Sequence, residues 1–317
     1  MFIVPLLRKG AFKTPSQPLQ IAILVGCFCI IAASAFIVQR FDRATLRFLE
    51  GYWHPLLYSI RQQRTQYYRD RKINLEQQNQ TLRQTEATRK TELKALKRII
   101  ETQGAVSLSD EERDRYHQLN EQLLTPKEQE TLSRIRQQLR AMPIANTDLM
   151  PTRLGNILRS AERAPLHKYG LDAIICWSRL WMLLPDAVKK DLQEARTNLN
   201  NAARVWLWSI LFCIWTFVSC WLLTTSKPSI STNNLTVLFL FLEVLVTIWQ
   251  LILGSLSAIF AYNWALEAAS TYGELIEAAF DLHRHLLYQS IRWNLPSDPV
   301  VEHRVGQELT QYLRRRS

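Results

Sequence analysis

Apolar positions along this 317-residue chain gather into three long blocks, and the stretches between them are polar with helical spacing. The block 205–224, Val205-Trp-Leu-Trp-Ser-Ile-Leu-Phe-Cys-Ile-Trp-Thr-Phe-Val-Ser-Cys-Trp-Leu-Leu223 and one further residue, carries no charge. The block 235–264 carries one, Glu243, and a third block covers 21–39. A bilayer core needs about 20 apolar residues in helical form. Backbone polar groups in lipid are satisfied only in helices or in closed barrels. The pattern therefore predicts an all-α membrane protein with three transmembrane helices. The second and third are joined by the short polar loop Thr225–Asn234.

The polar stretches read as helices too. With only nine Gly and long runs of Leu, Gln, Glu and Arg, nothing points to strands. Residues 1–20 form an N-terminal segment, and 40–142 form a helical stalk folding into a coiled-coil-like hairpin. Within it Arg40–Ile60 is amphipathic, aromatic and interrupted by Pro55, as expected of an interfacial connector. No breaker occurs from Leu56 to Glu101, which allows a helix of about 70 Å. Leu75, Leu82 and Leu96 share one heptad register, and Leu93 with Ile100 the partner register. Asn79, Glu86 and Arg89 also occupy the seam and make it polar. Ser109-Asp-Glu-Glu112 and Thr125-Pro-Lys-Glu128 are capping boxes that start helices near Asp110 and Pro126. The stripe Leu132, Ile135, Leu139, Met142 then needs a partner, and the Leu93–Ile100 end of the long arm is the simplest one.

Residues 143–204 form a juxtamembrane helical region. In it 171–184 is apolar on most faces but too short and too charged to span (Asp172, Arg179), and suits a helix lying in the membrane interface. The stripe Val188, Leu192, Ala195, Leu199, Ala202 runs straight into the second span. The third span continues through Tyr272, Ile276 and Phe280 into a helical tail, 265–317.

Charge sets the orientation. The chain carries a formal +11, and Arg40 to Arg204 holds 29 Lys and Arg against 20 Asp and Glu. Before Val205 lie Lys189, Lys190, Arg196 and Arg204; the loop beyond offers Lys227 alone. Basic loops stay inside, so the central region and C-terminus are expected in the cytoplasm and, with three spans, the N-terminus outside. The competing reading makes the N-terminus a secretory signal, with Ala33-Ser-Ala35 as cleavage site. The basic residues are interleaved with acids along helices, the arrangement of a solvated face, and no nucleic acid is expected as a partner. The expected partners are the lipid bilayer, further copies of the chain and a cytoplasmic protein.

The candidate chemistry is confined to the spans. Glu243, Thr247, Gln250, Gly254, Ser257 and Ala261 form one polar and small face on the third span. Ser209, Cys213, Thr216 and Cys220 repeat that rhythm on the second, and Ala22, Gly26, Cys29 and Ala33 on the first. Small residues let membrane helices approach, and polar ones bond across the seam. Two readings follow. Ser209, Cys213, Thr216, Cys220 and Gly254 pack helices together, or Glu243, Thr247, Gln250 and Ser257 line a path for ions. The five cysteines read as packing groups, four of them within spans and Cys176 in an apolar segment. Glu274, Glu277, Asp281 and His285 lack the Glu-x-x-His pairs of a helix-borne metal site and read as a solvated face. Arg314-Arg-Arg316 reads as a solvated or lipid-attracted end. No nucleophile–base pair, phosphate loop, cofactor or metal motif is visible, so no enzyme activity is expected.

Three phrases, Pro151-Thr-Arg-Leu-Gly-Asn156, Tyr169-Gly-Leu-Asp172 and Tyr272-Gly-Glu-Leu-Ile-Glu-Ala-Ala-Phe-Asp-Leu-His283, resemble wording in uncharacterised bacterial multi-span integral membrane proteins. The resemblance covers roughly residues 150–317. It implies a bacterial inner-membrane setting and brings no activity with it. The expected function is a non-enzymatic membrane scaffold or tether, the alternative an oligomeric channel or effector pore lined by Glu243 and Gln250.

Overall fold

The computed structural model describes residues 24–26, 28, 29, 40–103, 109–225, 234–296 and 298–315. Every regular element among them is a helix. Besides the helical stretch 40–50 and the short 3-10 turns Pro55–Leu57 and Asn146–Asp148, these include, in chain order, α1 Tyr58–Gln103, α2 Asp110–Glu121, α3 Pro126–Arg140, α4 Arg153–Tyr169, α5 Ala173–Leu183, α6 Asp186–Thr225, α7 Asn234–Ser290 and α8 Pro299–Arg314. Two of them are long and apolar enough to cross a membrane over Asp186–Leu222 and Leu242–Ser290. The expected first span, 21–39, lies outside the described residues except for 24–26, 28 and 29, as does most of the loop Thr225–Asn234.

The chain divides into two compact units. One combines Met1–Tyr52 with Pro185–Leu275, the other Trp53–Leu184 with Ile276–Ser317. The tail expected over 265–317 is thus divided within α7, whose 57 residues run on without interruption.

In the first unit α6 and α7 are uninterrupted because no Gly-Pro punctuation falls where the apolar blocks meet their polar extensions. Of the stripe expected on α6, Leu192, Leu199 and Ala202 are buried together with the adjacent Ala203, while Val188 and Ala195 are half-buried. The stripe matches a row of small buried residues on α7, Ala258, Ala261, Ala265, Ala268 and Ala269. Residues 40–50 are helical and end at Gly51, whose φ of 98° only glycine adopts without strain. This segment is less a free connector than a packed one. Thr45, Leu46 and Leu49 are buried, Phe48 lies 6.1 Å from the Trp206 ring, and Asp42 accepts from Arg204 at 2.5 and 2.8 Å.

In the second unit α1 is one helix of 46 residues, about 70 Å at 1.5 Å per residue. Its buried or half-buried positions include Tyr68, Lys72, Leu75, Asn79, Leu82, Glu86, Arg89, Leu93, Leu96 and Ile100, which follow one another at alternating spacings of four and three. Both capping boxes form as the spacing predicts. Ser109 and Glu112 open α2, and Thr125 and Glu128 open α3, each pair reciprocally hydrogen-bonded. The packing partners differ from expectation. The Leu93–Ile100 end of α1 is covered by α2, where Leu96 and Leu119 are buried with Tyr116 against them. The end of α3 reaches the other end of α1, where Met142 packs with Tyr68, Leu75 and Leu149. The physical reason is polar as much as apolar. Arg115 grips Glu92 at 2.9 and 3.1 Å, Arg89 grips Glu128 at 2.7 and 3.2 Å, and together they fix which helix lies where.

Beyond α3, helices α4, α5, α8 and the end of α7 pack together. Leu154, Leu171, Leu180, Phe280, Leu287, Tyr288 and Leu309 make the core. The segment 171–184, expected to lie in an interface, contains α5, with Ala173, Cys176 and Leu180 in that core and, of its large apolar side chains, Ile174 and Met182 exposed. Trp177 stacks 5.9 Å from both Trp181 and Phe280.

Candidate functional site

Within the first unit, α6 and α7 run antiparallel with their polar positions facing one another. The Ser209 and Ser257 hydroxyls lie 2.8 Å apart, and Ser209 also donates to its own Val205 carbonyl at 2.8 Å. One turn along, a Cβ on Gly254 would stand 2.6 Å from the Cys213 sulfur, so the glycine is what lets the helices come this close. Thr216 is buried and donates to Phe212 O at 2.9 Å, and Cys220 is half-buried. Farther along the same pair, Trp264 Nε1 donates to Asn198 at 3.1 Å and the Arg196 guanidinium lies 5.4 Å from the Tyr272 ring centre.

The rest of the predicted polar face points elsewhere. Glu243 and Gln250 are exposed, and Thr247 bonds back to the Glu243 carbonyl at 2.8 Å. The face read as one stripe is therefore two. Gly254, Ser257 and Ala261 face the neighbouring helix, while Glu243 and Gln250 stand on the flank of the seam.

A second polar cluster, in the other unit, escaped the reading of the sequence. Arg284 forms a bidentate pair with Glu302 at 2.6 and 3.3 Å, donates to the Asp281 carbonyl, and stacks 4.1 Å from the Tyr169 ring centre. Tyr169 donates to Asp281 at 2.8 Å, and Lys168 reaches Asp281 at 3.2 Å and Glu277 at 3.8 Å. Burial, then the Asp281 carboxylate, pushes the Tyr169 hydroxyl up to about 12. Of the residues taken as a solvated face, Glu277 and Asp281 thus tie α7 to α4, with Arg284 beside them making the tie to α8, while Glu274 stays exposed. Among the described residues no group of His, Cys, Asp and Glu is arranged to hold a metal ion.

Around this cluster two glycines let backbones touch. Gly170 caps α4 at φ 71°, and a Cβ there would lie 2.1 Å from the His303 carbonyl; one on Gly306 would lie 1.9 Å from the Tyr169 carbonyl. Thr310 closes the crossing by donating to Gly170 O at 3.0 Å and accepting from Asp172 N at 3.1 Å. Arg314, expected at a solvated end, pairs with Asp172 at 3.4 Å. Cys176 is fully buried beside Thr310, and burial raises its thiol to about 11, so at neutral pH it is a packing group and no nucleophile. In Met150-Pro-Thr-Arg-Leu-Gly-Asn156, the buried Asn156 side chain holds its own loop by accepting from Met150 N at 2.8 Å and donating to Met150 O and Thr152 O at 2.9 and 2.8 Å. This is the local reason for that phrase of sequence.

Comparison with protein-family models, with curated proteins and with solved structures finds no match to this chain.

Proposed function

We propose that the chain is a non-enzymatic scaffold or tether of a bacterial inner membrane. It is anchored by three spans, oligomerises through them, and presents its coiled-coil-like arm to a cytoplasmic protein. The observation that carries this reading is the construction of the arm. Its buried seam is closed by the chain's own α2 and α3, and the long outer face of α1 is left exposed and polar over most of its length. A helix so built is stiff, soluble and free to be bound. The spans support the same reading, since their serine, glycine and cysteine contacts hold α6 to α7.

A pore is the second reading, favoured by the outward stance of Glu243 and Gln250. Purified protein in liposomes separates the two. A tether gives no cation flux above empty vesicles, and Glu243→Ala leaves its subunit number unchanged by native mass spectrometry. Cation flux that Glu243→Ala abolishes would make the protein a channel and refute the tether. Orientation is tested separately by a membrane-impermeant maleimide on intact cells. Lys227→Cys is expected to label and Gln103→Cys to stay unlabelled until the cells are opened.

A further inference from the structure

Gln250 sits where a polar side chain is hardest to accommodate. With Ser209 opposite Ser257 and Cys213 opposite Gly254, the antiparallel register brings Gln250 level with the region of Thr216, the middle of the 205–224 block. Glu243 lies one heptad nearer the loop end, about 10 Å away, where a carboxylate can reach the headgroup level. Gln250 has no such exit. It is exposed, and among the described residues no group of the chain bonds to it. Its neighbours on that flank continue a heptad. Val246, Leu253 and Phe260 are 54%, 61% and 69% exposed; Glu243, Val246, Gln250 and Leu253 follow one another at spacings of three and four, and Phe260 lies a heptad beyond Leu253. This is the pattern of an association seam with polar residues at one of its two positions.

We propose that this flank of α7 binds α7 of a second copy in parallel, with the two Gln250 carboxamides hydrogen-bonded to each other. Membrane insertion points every copy the same way, so identical residues meet at identical depth. A carboxamide carries both donor and acceptor and is satisfied by its own kind. A lipid tail offers it nothing, and the unmet bond is what selects another copy over lipid. The inference rests on the reading that α6 and α7 cross a bilayer and that the chain oligomerises there.

The test uses the full chain in nanodiscs, with native mass spectrometry for subunit number and dilution for the dissociation constant. Gln250→Leu is expected to weaken association about three- to twenty-fold, the range of a hydrogen bond between membrane helices. Gln250→Asn is expected to restore most of it. Under oxidation Leu253→Cys should link two chains, whereas Ile252→Cys, on the opposite side of α7, should not. An oligomer that Gln250→Leu leaves unaltered overturns this seam and spares the oligomeric reading. A parent chain that is monomeric at every concentration overturns both. A disulfide within one chain, from Leu253→Cys to Cys27 or Cys29, would give the flank to the chain's own first span and likewise refute the proposal.

Discussion

Lys72 has three N–H donors, and each finds an oxygen on the segment that follows α3. They reach Pro143 O at 2.9 Å, Ile144 O at 2.5 Å and Asn146 Oδ1 at 3.0 Å. The residue is buried, with Glu76 3.6 Å away on the solvent side. A lysine in a polar helix reads from sequence as solvated, and nothing local reveals that three acceptors some 70 residues later close over it. Lys72→Met keeps the stem and strands the acceptors. It should cost about 2 kcal/mol, read as a lower denaturation midpoint of the arm. Glu128 is the converse case, since its capping role was legible in Thr125-Pro-Lys-Glu128. What the motif does not show is that Arg89 takes the same carboxylate and, with Thr125 N–H, holds it down at about 2. A carboxyl depressed in the folded state stabilises fully above its ordinary value of about 4.3 and loses that contribution as pH falls toward 2. Thermal melts should therefore decline between about pH 4.5 and pH 2, and Arg89→Met should flatten that part of the profile.

Helix starts were legible because capping chemistry is local, a matter of three residues. Helix partners were not, because contact is a matter of the whole chain. The arm shows this well. The apolar stripe of α3 was visible, but which end of α1 it meets depends on Arg89, Arg115 and Lys72, all of which look like surface residues one at a time. The crossing of α4 and α8 was hidden more deeply, for Gly306 sits mid-helix and the carbonyl it admits belongs to Tyr169. Gly306→Ala must push α8 off α4 and should cost on the order of 2–4 kcal/mol. Gly170→Ala adds a strained φ to a similar clash. Both would be read as lowered melting temperature with helix content retained.

At the scale of the molecule, the all-helical character and the two long apolar helices were readable because a 20-residue uncharged run leaves few alternatives in structure. The division into units was not, since it cuts α7 between Leu275 and Ile276, where composition changes nothing. The arm has one more consequence. A flexible chain of 46 residues would keep its ends on average about 35–40 Å apart and permit any shorter distance. As a helix, α1 holds them about 70 Å apart and permits little else. Such a rod works as a gauge: whatever engages its two ends is held at a set spacing, and lengthening it by seven residues would widen that spacing by about 10 Å.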